Sequence, residues 1–124
     1  MTRIIYLIIG GITGTLARYY LAGFIYDKLG NTFPYGTIII NLTGCFAIGF
    51  FSVLIDEKFF LGPESKILLL TGFCGAYTTF STYMFETSNL IIGGEIIKAL
   101  YNVMISTIIG FIALRFGILL AGII

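Results

Sequence analysis

Residues 71–83 read TGFCGAYTTFSTY, a stretch that differs from the apolar sequence on either side of it. It places two glycines and five Thr or Ser hydroxyls inside an otherwise apolar segment. Glycine and β-branched threonine are weak helix formers, so the stretch is poor material for an uninterrupted helix facing lipid. It predicts a break in the helix near residues 75–79. The alternative is a continuous helix whose small residues allow close packing.

The composition around this stretch indicates a membrane protein. Of the 124 residues, 58% are hydrophobic and 10% are charged, and the mean hydropathy is +1.04. A helix needs roughly 20 apolar residues to cross about 30 Å of hydrocarbon. The predicted fold class is therefore an all-α membrane protein in a lipid bilayer, with four transmembrane helices and a break in the third. It forms a single domain over residues 1–124.

Charged and turn-forming residues place the span boundaries. Tyr6, Tyr26 and Tyr35 lie near predicted span ends, where an aromatic ring with a polar tip suits the headgroup layer. Gly10 and Gly14 form a GxxxG pair that predicts close helix packing. The predicted spans are 4–26, 35–55, 66–92 and 96–123.

Several function classes are excluded by composition. The seven basic residues are scattered and the net charge is +1, so no basic stripe suited to nucleic acid exists. The chain has no histidine, and Cys45 and Cys74 both fall in apolar segments, which suggests neither a metal cluster nor a disulfide. It also lacks a catalytic base beside a nucleophile, so we predict that it is not an enzyme.

The basic residues hardly distinguish the two sides of the membrane. Four of them fall on the side of the two termini and three on the other, and orientation follows the excess of Lys and Arg facing the cytoplasm. Charge alone therefore leaves two readings open, a fixed topology set by one loop and insertion in both orientations. The two groups are Arg3, Lys58, Lys66 and Arg115 against Arg18, Lys28 and Lys98.

Polar residues inside the other spans are candidates for a site. Asn41 lies in mid-span with Thr37 one turn before it, and Asn102 and Ser106 share one face of the last span because they stand four residues apart. Such groups either hold helices together through interhelical hydrogen bonds or line a polar track. Arg18 either snorkels to the interface or lines a water-filled vestibule that attracts anions, and we favour the vestibule.

Four stretches together resemble the Fluc (CrcB) fluoride channels, in the order that the family has them and over nearly the whole chain. The run around residues 72–82 is the most specific. The stretches are GGITGTLARY at 10–19; FPYGT at 33–37 continuing to Asn41 and Gly44; GFCG at 72–75 with TTFST at 78–82; and Asn102 with Ser106.

The resemblance implies an antiparallel, dual-topology homodimer with two fluoride pathways and a central structural sodium ion. On this sequence the sodium ligands map to the backbone carbonyls of Gly75 and Thr78. The resemblance also implies that Asn41 touches the anion and that Phe80 and Tyr83 present ring edges to it, where the positive part of the ring quadrupole lies.

This sequence departs from the family pattern at Tyr83, where the family typically has Phe. The extra hydroxyl either donates a hydrogen bond to fluoride or obstructs a narrow passage. The remaining residues implied as polar track or support are Ser106, Asn102, Thr37, Ser81 and Thr82.

The expected function is passive, fluoride-selective export across the plasma membrane of a prokaryote, or the inner membrane of a Gram-negative one. The leading alternative is a four-helix, proton-coupled exporter of drugs or cations. Glu86 keeps that alternative open, because it is the only acidic residue well inside an apolar stretch. A non-transporting assembly subunit is a second alternative, and it predicts no flux of either kind.

Overall fold

The computed structural model describes residues 2–57 and 62–124, and every regular element in these two ranges is helical. Lys58, which entered the charge balance above, lies outside the described residues. The helices are α1, Thr2–Leu29; α2, Tyr35–Asp56; α3, residues 63–77; α4, Phe80–Ile92; and α5, Ile96–Ile123.

Within the described ranges, three continuous helices, α1, α2 and α5, are long and apolar enough to cross a membrane. The predicted spans 4–26, 35–55 and 96–123 each lie inside one of them. Large apolar side chains such as Ile12, Leu16 and Phe111 are exposed on these helices. Exposed apolar surface over such lengths suits lipid contact. The prediction of an all-helical, multi-pass membrane protein is therefore confirmed.

The third predicted span, 66–92, is broken as expected, but not at its glycines. Thr78 (φ −83°, ψ 158°) and Thr79 (φ −149°, ψ 113°) have extended backbone and separate α3 from α4. Gly75 has helical angles (φ −63°, ψ −35°), so the break occupies only the threonine end of the predicted range 75–79. Two β-branched threonines form the break because extended backbone accommodates their side chains readily.

Two π-helical stretches were not predicted. One, Lys66–Cys74, makes up most of α3, and the other, Ile105–Ile109, interrupts α5. A π-helical turn widens the helix and is frequent at functional sites. The second stretch contains Ser106, one of the predicted site residues, and changes the direction in which its side chain points relative to an ideal α-helix.

Close packing of α1 against α3 depends on the predicted GxxxG pair. A Cβ atom at Gly10 would overlap the carbonyl oxygen of Leu68, and one at Gly14 would overlap that of Phe73. The packing role of the pair is therefore confirmed. On the other side of the molecule, α2 packs along the C-terminal half of α5, and α4 packs against its N-terminal half. The break thus lies beside α1, α2 and α5.

Candidate functional site

The break between α3 and α4 is held by hydrogen bonds from its own threonines. The Thr78 amide and hydroxyl both donate to the Cys74 carbonyl oxygen, at 3.0 and 2.9 Å. The Thr79 hydroxyl oxygen accepts from the Thr82 amide at 3.3 Å and caps α4. Threonine is a favoured N-cap residue because its oxygen binds one of the unpaired amides of the first turn.

Asn41 on α2 binds both backbone groups of Thr79. The Thr79 amide donates to Asn41 Oδ1 at 2.8 Å, and Asn41 Nδ2 donates to the Thr79 carbonyl oxygen at 3.1 Å. The close approach of α2 to the break depends on Gly44, where a Cβ atom would overlap Thr78 Cγ2. Asn41, predicted as an anion contact, is therefore also a backbone partner of the break.

These bonds change the partners of the two carbonyls predicted to bind sodium. In an unbroken α-helix, the Gly75 carbonyl would accept from the Thr79 amide and the Thr78 carbonyl from the Thr82 amide. Both amides donate to side chains instead, one to Asn41 and one to Thr79. The Gly75 and Thr78 carbonyls thus lack their helical donors, which fits oxygen ligands for a hard cation.

Arg18 shares one of these carbonyls. Its Nη1 lies 3.4 Å from the Thr78 carbonyl oxygen, so the guanidinium reaches from α1 toward the break. It also lines a cavity of about 660 Å³ between α1, α2 and α4. Arg18 is half-buried and faces this cavity, and its role as a vestibule residue stays a prediction.

A second cavity, of about 270 Å³, opens at the break itself. It brings together four residues that the sequence predicted for the fluoride pathway: Asn41, Phe80, Tyr83 and Ser106. The Phe80 and Tyr83 ring centroids are 5.7 Å apart. The other lining residues are Cys45, Ile48, Thr78, Thr79 and Thr107.

Tyr83 and Phe80 present different surfaces to this cavity. Tyr83 is 7% exposed, and its hydroxyl makes no hydrogen bond to any residue in the described part of the chain. A free hydroxyl on a cavity wall is available as a donor to a bound anion. Phe80, in contrast, is 73% exposed, so most of its ring projects away from the protomer.

Asn102 lies beside this cavity rather than on its wall. The residue is 0% exposed, and its Nδ2 donates to Thr87 Oγ1 at 2.8 Å. Thr87 in turn donates to the Tyr83 carbonyl oxygen at 2.7 Å, and Ser106 donates to Asn102 Oδ1 at 3.5 Å. Asn102 therefore supports two wall residues through α4 and α5.

Thr37 belongs to a different cluster. Both Thr37 Oγ1 and the Tyr26 hydroxyl donate to Glu86 Oε1, each at 2.9 Å. Glu86 Oε2 is buried and has no hydrogen-bond partner among the described residues. This cluster borders the Arg18 cavity, which Thr82 and Asp27 also line. The cavity therefore carries charges of both signs.

Ser81 and Thr82 lie at the exposed start of α4. The Thr79 hydroxyl donates to Thr82 Oγ1 at 2.9 Å and is 3.5 Å from Ser81 Oγ. Neither Ser81 nor Thr82 lines the cavity that holds Asn41 and Tyr83. The structure therefore divides the predicted site residues between the break cavity, the Arg18 cavity and the cap of α4.

Sequence reasoning missed three residues of this region. Tyr26 was read only as a headgroup-layer aromatic, Cys45 as a small hydrophobe, and Thr87 was not considered. Tyr26 and Thr87 make hydrogen bonds across helices, and Cys45 lines the break cavity. The spacing of Cys45 four residues after Asn41 was the available signal, because it places both side chains on one face of α2.

The fold and the site together define a multi-pass helical membrane protein with a polar cavity at a helix break. The family model described as CrcB-like protein, Camphor Resistance (CrcB) matches residues 5–118. The chain belongs to the CrcB family.

Curated relatives agree with this assignment. The fluoride-specific ion channel FluC of Solidesulfovibrio magneticus is 44% identical over 115 residues, which cover 93% of this chain and 92% of the relative. The protein of the same name from Trichormus variabilis is 46% identical over 113 residues, covering 90% of this chain and 82% of the relative. These relatives are ion channels and not enzymes, which confirms the prediction that this chain is not an enzyme.

Proposed function

We propose that this chain is a fluoride-selective passive channel that lets fluoride leave the cell down its electrochemical gradient. The observation that carries the proposal is the cavity at the helix break, which Asn41, Tyr83 and Ser106 line with neutral donors. The fluoride-specific channels among its relatives support the choice of ion.

The chemistry of this wall suits a small, strongly hydrated anion. A pore carries such an ion only if it replaces the hydration water without trapping the ion. Amide and hydroxyl donors provide several moderate contacts, and the edges of the Phe80 and Tyr83 rings add positive potential. A compact fluoride ion reaches several of these donors at once in a narrow space, which a larger chloride ion does less well.

Arg18 would draw anions toward the break, and the nearby acidic groups would limit how tightly they bind. The Arg18 cavity also contains Glu86 and Asp27, so its net field is weaker than that of a purely basic funnel. A moderate attraction favours throughput, because an ion must leave as readily as it enters. Thr37 and Thr82 add hydroxyls to the same cavity.

The pore requires a second copy of the chain in the opposite orientation. The Phe80 ring is 73% exposed, and Ser81 and Thr82 beside it are exposed as well. Exposed hydroxyls at membrane depth need a protein or water neighbour, because lipid cannot pair with them. A two-fold, antiparallel homodimer would cover this face twice and would form two equivalent pathways.

A structural sodium ion at the centre of that dimer fits the carbonyls of Gly75 and Thr78. Both have lost their helical donors, and in the described ranges no cluster of three or more His, Cys, Asp or Glu side chains competes for a metal. When bound, sodium would supply a fixed positive charge beside the anion pathways. The contact between Arg18 and the Thr78 carbonyl would have to loosen for that oxygen to turn toward a cation.

The proposed location is the plasma membrane of a prokaryote, which is the inner membrane in a Gram-negative cell. The three long apolar helices and a membrane-crossing pair of α3 and α4 would give four crossings. Both termini would then lie on one side of the membrane in each protomer.

Fluoride efflux from liposomes tests the function directly. Purified protein in vesicles loaded with potassium fluoride should release fluoride when valinomycin carries the countercharge, and chloride-loaded vesicles should release almost nothing. Release that requires a proton gradient, or proton-coupled movement of an organic cation, would instead support an exporter that uses Glu86. No flux of any kind would support an assembly subunit.

A pair of phenylalanines tests the assignment of the pathway. Phe80→Ile removes a ring edge from the cavity and should lower fluoride flux about fivefold, since an aromatic edge contact is worth about 1 kcal/mol. Phe85→Ile is the matched control, because Phe85 is similarly exposed (67%) on the same helix but does not line the cavity. Equal flux in both variants would place the pathway elsewhere.

A further inference from the structure

We propose that Asn41 is a positioning residue. It prevents α3 and α4 from forming one continuous helix, and it thereby leaves the Gly75 carbonyl without its helical donor, the Thr79 amide. This inference rests on the proposed function for its consequence, but not for its geometry. The two hydrogen bonds between Asn41 and Thr79 are the observation that carries it.

The Thr79 amide does not bond to the carbonyl that would accept from it in a helix. In a helix that continued through the break, this amide would bond to the Gly75 carbonyl four residues earlier. It donates to Asn41 Oδ1 at 2.8 Å instead. A side-chain acceptor with good geometry competes with the helical carbonyl for the same donor. Asn41 therefore removes the bond that would join α3 to α4.

The Thr79 carbonyl also has its hydrogen-bond partner on α2. In extended backbone this oxygen would be left unpaired at membrane depth, where lipid offers no hydrogen-bond donor. Asn41 Nδ2 donates to it at 3.1 Å. One primary amide thus pairs the donor and the acceptor of a single extended residue, as a neighbouring strand would. The break needs such a partner because a buried backbone donor or acceptor without a hydrogen bond is costly.

One Nδ2 hydrogen of Asn41 is not used in the two bonds to Thr79. A free asparagine offers either its oxygen or its nitrogen to an ion, so it does not favour one sign of charge. Here the two bonds to Thr79 fix which way the amide faces. Its second Nδ2 hydrogen is the only donor that Asn41 has left for the break cavity, whose wall it forms. The positioning role and a contact with an anion are therefore compatible.

The Thr79 side chain acts on the break in the same way as Asn41. The Thr79 hydroxyl oxygen takes the Thr82 amide at 3.3 Å, which would otherwise bond to the Thr78 carbonyl. Asn41 and Thr79 thus each divert one amide, and each diversion removes the helical donor of one of the two carbonyls in the proposed cation site.

Backbone carbon chemical shifts test the proposal in the absence of sodium and fluoride. Isotope-labelled full-length protein in lipid is measured by solid-state NMR with sodium replaced by N-methylglucamine and fluoride left out. In wild type, the Cα and carbonyl shifts of residues 78 and 79 should be those of extended backbone. Asn41→Leu, which removes both hydrogen bonds in a side chain of similar size, should move them to helical values.

Asn41→Asp is the matched variant. It keeps the acceptor for the Thr79 amide but loses the donor to the Thr79 carbonyl, so the shifts at residues 78 and 79 should stay closer to extended values than in Asn41→Leu, while its negative charge should lower fluoride flux at least tenfold. Extended shifts in Asn41→Leu would overturn the proposal whatever the flux. If Asn41→Leu does not fold, Asn41→Ala takes its place, and the same shifts decide.

Sodium dependence gives an independent readout. The thermal midpoint of wild type should rise when sodium replaces N-methylglucamine, and Asn41→Leu should lose that rise while Asn41→Asp keeps it. Lack of a sodium effect in wild type would contradict the proposed sodium site but leave the chemical shifts as the test of Asn41. Lack of fluoride flux in wild type would likewise contradict only the channel.

Discussion

At the scale of single residues, the polar side chains of this protein divide by the partners they have. Asn102 is fully buried between α4 and α5 and uses its amide nitrogen on Thr87. Tyr83 is nearly as buried, yet its hydroxyl has no hydrogen-bond partner in the described ranges. A satisfied group stabilises the structure, whereas an unsatisfied donor on a cavity wall is free to bind a ligand. These two residues should therefore respond oppositely to substitution.

Asn102→Leu should lower stability more than it alters ion selectivity. The variant removes the hydrogen bond to Thr87 and the acceptor for Ser106, at a cost of about 1 kcal/mol, the usual size for a buried bond between membrane helices. Thermal unfolding in detergent should show a lower midpoint, and Asn31→Leu, at an exposed position, should not. An unchanged midpoint with loss of fluoride selectivity would instead place Asn102 in the pathway.

Tyr83→Phe should lower fluoride flux several-fold and leave stability unchanged. The hydroxyl makes no hydrogen bond to any described residue and belongs to a residue that lines the cavity, so we expect its removal to affect mainly a bound anion. Tyr77→Phe is the matched control, because the Tyr77 hydroxyl shares a 2.8 Å hydrogen bond with Thr43 and does not line the cavity. That variant should lose stability and keep flux. A rise in flux in Tyr83→Phe would show that the hydroxyl obstructs the passage.

At the scale of helices, the break between α3 and α4 depends on neighbours as much as on its own residues. Its hydrogen bonds come from Thr78, Thr79 and Asn41, and its position depends on how closely α1 and α2 approach. Glycine permits that approach at Gly14 toward α3 and at Gly44 toward the break. Small residues at such contacts drive packing in membranes, where apolar burial gives little advantage over lipid.

Two glycines one turn apart on α1 test this packing. Gly14→Ala should destabilise the protein by about 1–3 kcal/mol, because its Cβ would overlap the Phe73 carbonyl oxygen and backbone cannot move aside as a side chain can. Gly11→Ala has no atom within 4 Å of its Cβ and should be neutral or stabilising by up to about 1 kcal/mol. Thermal midpoints in one detergent compare the two. Equal destabilisation would mean that the α1–α3 contact is not specific.

At the scale of the whole molecule, the protomer leaves polar groups uncovered where lipid would meet them. Phe80, Ser81 and Thr82 form an exposed start to α4 beside the break. A second copy in the opposite orientation would cover this face, and the near balance of basic residues across the two sides permits both orientations. The proposed dimer therefore joins two features that are otherwise unrelated, a helix break and a charge balance.

Biasing the charge balance should separate the two orientations. Asn31→Lys with Thr32→Lys adds two basic residues to the loop between α1 and α2, and Thr2→Lys with Glu57→Lys adds two to the opposite side. Each pair expressed alone should insert in one orientation and give little fluoride efflux, whereas coexpression should restore it. A labelled cysteine at Gly122 read from each side would report orientation. Full efflux from either pair alone would contradict the antiparallel dimer.

The membrane class, the helices and the existence of a break could be predicted from the sequence, because these follow from local composition: long apolar runs, charged turns and a cluster of weak helix formers. The sequence also predicted Asn41, Phe80, Tyr83 and Ser106 as site residues, and in the structure these four line one cavity.

Which residues form the break and which partner each polar group has depend on contacts between helices that are distant in the chain. Two threonines rather than Gly75 leave the helix, because Asn41 from another helix pairs with Thr79. Asn102 donates a hydrogen bond to Thr87, and Thr37 and Tyr26 both donate to Glu86. Hydrogen bonds between helices depend on relative rotation and on glycine contacts far apart in the chain, and no local pattern of residues encodes those.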